Sequence, residues 1–344
     1  MTSFSNPPTL SDVARKAGVG TTTVSRVING GQRVSPETLS RVQAVIEELG
    51  FRPNQAARIL KGNRAKTISL VIPSIADPFF AQCAEAVQEV ARAQDSLLIV
   101  TVTNNDPRTE IENLETLVQH RTDGLLVVPA NHQSLTLAGL LQRMGIPVIC
   151  LDRPLENSPF ASVVTKNFQA ARDATKHLID HGYKRILCLG GESNLYTIHE
   201  RIRGYSRAMK DAKMVARIDM SAKDYKSTEQ ALEAHMGGAQ PPDAILTLKN
   251  GTTIETFEVL QKFRVSVPKQ VALLGYDDFE LASSLRPSIT VVQQPIFDLG
   301  RIAAEMLFAA MAEPAPKTGK TAEQVKLDTR LIVRSSCGCN PRGA

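Results

Sequence analysis

The chain has 344 residues, and its 40 Lys and Arg against 35 Asp and Glu leave a formal charge of +5. No apolar run approaches the ~20 residues of a membrane span, and the opening MTSFSNPP lacks the basic start and apolar core of a secretory signal, so no membrane or secreted class is expected. Five cysteines without a pairing framework point to a reducing compartment, the cytoplasm.

The charge is unevenly placed. Up to Arg64 there are nine basic residues and four acids, so this segment holds the whole +5 and the remainder is neutral. A small basic module joined to a large neutral one suggests that only the first part meets a polyanion. Within it, TLSDVARKAGVGTTTVSRVING reads as two short helices around a tight turn. Thr9 and Asp12 have capping-box spacing, Val13, Ala14 and Ala17 share a face, and Gly18 supplies the turn with Val19 beneath it. The second helix, expected over about 21–29, turns Val24, Val27 and Ile28 inward and leaves Thr21, Thr22, Ser25, Arg26 and Asn29 outward. A third helix has Ser35 as its cap, Pro36 at its first position, the stripe Leu39, Val42, Ile46 and Leu49, and Gly50 at its end. Short threonines at the start of the second helix allow close approach to a DNA major groove, where Arg26 can bond guanine bidentately. A plain three-helix bundle with a solvated polar face would share the turn.

The next residues, FRPNQAARILKGNRAKT, sharpen the reading. Pro53 breaks the chain, Asn54 can cap a short helix to about Lys61, and Gly62 stops it. Such a helix is unstable alone in water. Ala56 and Ala57 allow close packing across a two-fold axis, Leu60 can wedge into a minor groove, and Arg58 and Lys61 can hold phosphates. An ordinary helical linker is the alternative.

Beyond residue 65, apolar runs alternate with helical stretches: 67–72, 96–102, 123–129 and 147–152, then 185–191, 243–248 and 271–277. Continuous Val/Ile/Leu runs between helices indicate parallel strands covered on both faces, and two series suggest two similar doubly wound lobes. Ligands of such sheets sit at the carboxyl ends of strands. Those ends carry Asp77 with Phe79 and Phe80, Asp152-Arg153, Asn250 and Asp277-Asp278, and Arg201 opens a helix in ERIRGY. Carboxylates, an amide, an Arg and an aromatic face suit a polyhydroxylated ligand. Arg153 and Asp278 are read as ordinary loop residues.

The runs TLSDVARKAGV, TVSRVING, VSPETLSRVQAVIEELGFRPNQAARIL and KTISLVIPSIADPFF, followed by TDGLLVVP, VICLDRP, ERIRGY, VALLGYDD and RLIVRSSCGC, together resemble the LacI/GalR family of bacterial transcription regulators over essentially the full length. The resemblance implies an N-terminal all-α helix-turn-helix domain and an α/β, periplasmic-binding-protein-like domain of two lobes, with three crossings between them. The expected boundaries are 1–52 for DNA binding, 53–65 for a hinge helix, and 66–344 for effector binding and dimerisation. The lobes would comprise about 66–164 with 294–325, and 165–293 with 326–337.

By resemblance, Thr21, Thr22, Arg26 and Asn29 occupy DNA-contact positions, Arg33 reaches DNA from the following loop, and Leu60 matches the intercalating leucine. Asp152, Arg201 and Asp277 match effector contacts, as does Asn250. Two departures stand out: Gly20 replaces the usual Ser opening the recognition helix, and Gly251 replaces the Asp that commonly follows Asn250. The implied protein is a homodimeric regulator, expected to be a repressor, of near-palindromic double-stranded operator DNA. It would be controlled by a small effector, a sugar or sugar derivative, including an acidic or phosphorylated one, and would need no cofactor. The alternative is a metabolite-binding protein with a non-functional DNA module.

Enzyme signatures are missing from the sequence. There is no G-x-G-x-x-G after a strand, no G-x-S-x-G and no H-E-x-x-H. KTGKT at 317–321 has Pro314 where a phosphate loop needs its first Gly. His177 and His181 have helical metal spacing without a third ligand in the sequence, so surface histidines and no metal are expected. Cys337 and Cys339 are too close for an unstrained mutual disulfide.

Overall fold

A computed structural model describes residues 8–28, 30, 33–52, 65–312 and 322–339. The chain divides into two units, Met1–Ala65 and Lys66–Ala344.

The first unit contains α1 (Leu10–Ala17), α2 (Thr21–Ile28) and α3 (Pro36–Leu49). The Thr9–Asp12 capping box forms as the spacing predicts: the Thr9 N–H donates to Asp12 Oδ2 at 2.9 Å, and the Asp12 N–H donates to Thr9 Oγ1 at 3.3 Å. Gly18 takes a left-handed conformation with φ of 67°, and its N–H closes the end of α1. Val13, Ala14, Ala17, Val24, Val27, Val42, Val45 and Phe51 make the core. Val42 and Val45 form the buried centre of α3, whereas Leu39, Ile46 and Leu49 flank it half-buried. The expected stripe is therefore displaced toward Val45. Phe51 follows the Gly50 cap, bonds its N–H to the Ile46 carbonyl at 3.0 Å and closes the core, a role that helical periodicity could not assign.

The second unit has two six-stranded sheets. One, in spatial order β11-β5-β4-β3-β1-β2, is formed by β1 (Thr67–Ile72), β2 (Leu97–Val102), β3 (Gly124–Val127), β4 (Val148–Leu151), β5 (Ala161–Thr165) and β11 (Gln324–Leu327). The other, ordered β12-β10-β9-β8-β6-β7, contains β6 (Ile186–Leu189), β7 (Arg217–Asp219), β8 (Ala244–Thr247), β9 (Ala272–Tyr276), β10 (Thr290–Gln293) and β12 (Arg330–Ile332). All pairings are parallel except β10 with β12. The central strands are buried along their whole length, as helix-covered parallel strands must be.

Helices α4 (Pro78–Ala93), α5 (Pro107–Gln119) and α6 (Leu135–Met144) follow the strands of the first sheet. The second sheet has α7 (Asn167–Asp180), α8 (Tyr196–Asp211), α9 (Tyr225–Met236) and α10 (Asn250–Lys262). After β10 the chain returns through α11 (Ile296–Ala312), whose Leu299, Ala303, Ala304 and Leu307 enter the core of the first sheet. It then adds β11 to that sheet and β12 to the other. The lobes are thus connected by crossings after Thr165, Gln293 and Leu327. At the third, Lys166 N–H donates to the Leu327 carbonyl at 2.9 Å, so the first sheet extends past 325.

The apolar runs expected as strands all contain one. Five strands outside those runs were added by the structure: β5, β7, β10, β11 and β12. Two are three residues long, and β7, β11 and β12 carry polar residues at the edges of their sheets. Their pairing partners, not their local composition, make them strands.

Candidate functional site

In the first unit, burial of Val24 and Val27 leaves Thr21, Thr22 and Arg26 exposed on the opposite side of α2, with Ser25 half-buried. The Gly20 carbonyl accepts from Thr23 and Val24 N–H groups at 2.9 and 3.2 Å, so α2 starts regularly without a side chain at position 20. Arg33 is exposed in a left-handed conformation with φ of 62°. This face carries short hydroxyl side chains at its helix start and a guanidinium one turn on, the chemistry that reads base edges and phosphates. Asn29, Asn54, Ala57, Arg58, Leu60 and Lys61 lie outside the described residues.

In the second unit, a cavity of about 530 Å³ lies at the carboxyl ends of both sheets. Asp77, Phe79, Phe80, Asp152, Arg201, Asn250 and Asp277, spread over 200 positions of sequence, all line it. Asp77 caps α4 by accepting the Phe79 N–H at 3.0 Å, and the same Oδ1 accepts from Asn250 Nδ2 at 3.2 Å, linking the two lobes. The Phe79 and Phe80 rings meet edge to face with centroids 5.0 Å apart.

Asp152 and Asp277 occupy matching places in the two lobes. Each follows its strand directly in a left-handed conformation, with φ of 64° and 63°. Their N–H groups donate to Val163 and Val292 carbonyls at 2.9 and 2.8 Å. Left-handed backbone is unfavourable for non-glycine residues, and its repetition at both strand ends aims two carboxylates into one cleft. Burial pushes Asp152 up to about 6 against the pull of Arg153 and Arg201, and burial also raises Asp277. Arg201 is buried between them, donating from Nε to Asn167 Oδ1 at 2.8 Å and from Nη1 to the Leu248 carbonyl at 2.6 Å. Its guanidinium lies 3.9 Å from the centre of the Tyr276 ring, which fixes its plane.

Residues 9–54 match "Bacterial regulatory proteins, lacI family", and residues 65–334 match "Periplasmic binding proteins and sugar binding domain of LacI family". This chain belongs to the LacI family. It is 31% identical to the HTH-type transcriptional repressor PurR of Photobacterium profundum over 95% of this chain and 98% of that protein. It is 30% identical to the ribose operon repressor of Escherichia coli, over 89% and 94% respectively. Among solved structures, the transcriptional regulator CelR in complex with cellobiose superposes with a TM-score of 0.69 at 29% identity, covering 96% of this chain and 99% of that one. As a LacI-family protein it is a ligand-controlled DNA-binding repressor, not an enzyme.

For this LacI-family protein the sequence reading needs three corrections, the first two in the cleft. Arg153, read as an ordinary loop residue, is buried in the cavity wall. Its Nη1 donates to Asn105 Oδ1 at 2.7 Å and to the Pro129 carbonyl at 3.1 Å, and its Nε lies 3.5 Å from Asp152 Oδ2. Asp278, by contrast, turns away to pair with Arg334 at 2.8 Å. Gln294 was missed: it accepts from Thr165 Oγ1 at 2.8 Å and donates to Asp277 Oδ1 at 2.6 Å. It follows TVVQ, a short β-branched run that the sequence reading did not count among the strands, so its place at a strand end was missed. Glu192 and Lys249, paired at 3.1 Å on the cavity wall, were also missed, because their local sequence does not distinguish them from ordinary loop residues.

The third correction concerns His177 and His181, expected to be surface histidines with no further ligand near. Folding brings Cys339 against both rings and Cys337 close by. The phosphate-loop-like KTGKT lies outside the described residues. Among them, no helix is long and apolar enough to cross a membrane.

Proposed function

We propose that this repressor acts as a homodimer on near-palindromic double-stranded DNA and that its effector is a neutral polyhydroxylated molecule of sugar type. The observation carrying the effector reading is the matched pair Asp152 and Asp277, two inward carboxylates at equivalent strand ends beside Arg201. Carboxylates accept bidentately from vicinal hydroxyls, a buried guanidinium donates to ring or hydroxyl oxygen, and Phe79 and Phe80 offer an apolar face. Asp77, Asp152, Glu192 and Asp277 oppose Arg153, Arg201 and Lys249. Arg153 and Lys249 already face Asp152 and Glu192. An anionic ligand would therefore meet one carboxylate in excess of the cations, which favours a neutral ligand over an acidic or phosphorylated sugar.

The cellobiose of the CelR complex supports the carbohydrate class without naming the compound for this chain. On the DNA side, α2 presents Thr21, Thr22, Ser25 and Arg26 to a major groove, and Arg33 reaches the flank. Asn29 and the 53–65 segment, with Asn54, Ala57, Arg58, Leu60 and Lys61, complete the contact set. Ligand between the lobes changes their relative orientation and thereby the spacing of two hinge segments.

Thermal-shift measurements with neutral pentoses, hexoses and disaccharides, hexuronic acids and sugar phosphates test the effector class. A neutral sugar should raise the melting temperature, and Asp277→Asn should abolish that rise. The same sugar should alter retention on a palindromic DNA library. Stabilisation by acidic or phosphorylated sugars alone overturns the neutral class, and no salt-dependent retention on DNA overturns the operator reading.

A further inference from the structure

The far end of α7 from the cleft carries His177 and, as its C-terminal cap, His181, four residues apart on one face of the helix. The turn at 335–339 lays Cys337 and Cys339 against that face. Nε2 of His181 lies 2.8 Å from Cys339 Sγ, and Nε2 of His177 lies 3.7 Å from the same sulfur. Ligand atoms of His177, Cys337 and Cys339 all fall within 4.8 Å of one another. We propose that Sγ of Cys337 and Cys339 and Nε2 of His177 and His181 form a tetrahedral binding site for a thiophilic divalent cation, Zn2+.

The surrounding bonds orient these ligands as a zinc site requires. Nδ1 of His181 faces the His177 carbonyl at 2.8 Å, so Nδ1 carries the proton and the Nε2 lone pair points at sulfur. Thr290 Oγ1 donates to Cys337 Sγ at 3.1 Å, and Tyr183 Oη donates to the Cys337 carbonyl at 3.1 Å. Gly338, between the cysteines, has φ of 90°, and a Cβ there would stand 2.6 Å from Tyr183 Oη. Glycine is therefore what lets the loop approach α7 while presenting both sulfurs.

Zinc–sulfur bonds of ~2.3 Å and zinc–nitrogen bonds of ~2.0 Å set tetrahedral S···N separations near 3.6 Å. The His177–Cys339 pair already has that spacing, and the exposed His181 ring needs to withdraw by roughly 1 Å. Two thiolates neutralise the divalent charge, so the complex adds no net charge to a partly buried position. A mixed sulfur and imidazole set excludes Mg2+ and Ca2+, which take oxygen ligands. The bound metal would clip the C-terminal segment to α7 across sequence separations of 158 and 162 residues. The first residue of that same helix, Asn167, holds Arg201.

The test uses the full-length, reduced protein after chelation, with Co2+ as the spectroscopic probe and Zn2+ as its competitor. One equivalent of Co2+ should produce a thiolate-to-cobalt charge-transfer band and the intense visible bands of tetrahedral cobalt, both bleached by Zn2+. Zn2+ should also protect two thiols from an aromatic disulfide reagent and raise the melting temperature. Cys83, Cys150 and Cys188 are buried and are not expected to contribute. Cys339→Ser and His181→Ala, neither at a fully buried residue, should each weaken cobalt binding roughly tenfold or more while circular dichroism stays unchanged. Absence of the charge-transfer band, or its persistence in both variants, would overturn the site. So would two thiols missing before metal is added and recovered by reductant alone, which would mark a disulfide. None of these outcomes depends on the effector reading.

Discussion

Glu110 shows how one buried side chain links the cleft wall to pH. It is 1% exposed, and its Oε1 accepts the Ala130 N–H at 2.9 Å. Burial pushes its carboxyl up to about 7 from an ordinary 4.5, against the opposing Ala130 bond and the charge of Arg153. The folded state therefore keeps a proton that the unfolded chain loses between those values. The stabilisation is complete below about 4.5 and is lost as pH rises through about 7. The gap corresponds to roughly 3 kcal/mol. Glu110→Gln preserves an acceptor for Ala130 without the titration. Its stability relative to the parent, from urea denaturation, should rise by about 2–3 kcal/mol between about pH 5 and pH 8. A difference independent of pH would show an ordinary carboxylate at this position.

At the scale of elements, the packing of α8 on α7 decides where Arg201 sits. Gly204, one turn after Arg201, lies where an added Cβ would stand 2.1 Å from the Phe168 carbonyl and 2.9 Å from the Arg172 nitrogen. Alanine in a helix interior normally gains about 1 kcal/mol over glycine. Here two backbone atoms of α7 stand in its way and neither is a flexible side-chain end, so the steric cost exceeds that gain. Gly204→Ala should destabilise the protein by about 1–3 kcal/mol in denaturant titration. It should also weaken effector binding, because displacing α8 breaks the Arg201–Asn167 bond. A gain in stability with unchanged effector response would mean that the two helices can separate freely.

Much at this scale was legible in the sequence. The Thr9–Asp12 box, the Ser35 and Gly50 caps and the central strands each depend on residues within a few positions, so spacing alone revealed them. The edge strands did not have that property: β7 is Arg217–Asp219, a three-residue run distinguished by its pairing with β6. The buried stripe of α3 moved from Leu39, Ile46 and Leu49 toward Val45 because α1 and α2 determine which side of that helix is covered.

Across the whole molecule, a basic segment of +5 joined to a neutral remainder separates attraction to DNA from control of that attraction. In the proposed reading, non-specific affinity comes from charge, sequence preference from Arg26 and the short side chains around it, and bending from Leu60. In the proposed dimer two Leu60 wedges meet at the operator centre, so Leu60→Ala should reduce the DNA bend read by fluorescence transfer between labelled operator ends. An unchanged bend would remove the wedge from the mechanism.

The sequence by itself determined the helix-turn-helix module, the two series of parallel strands and the residues at their carboxyl ends, because caps, apolar runs and strand ends are local features. Only the tertiary structure decided which of those residues share a space. It moved Arg153 into the cleft and left Asp278 outside it, joined Thr165 to Gln294 across 129 positions, and brought Cys339 to His181 across 158. Contacts of that range are made by the stacking of complete sheets and helices. No window of neighbouring residues contains both partners, and the chemistry of each pair exists only after the lobes have folded.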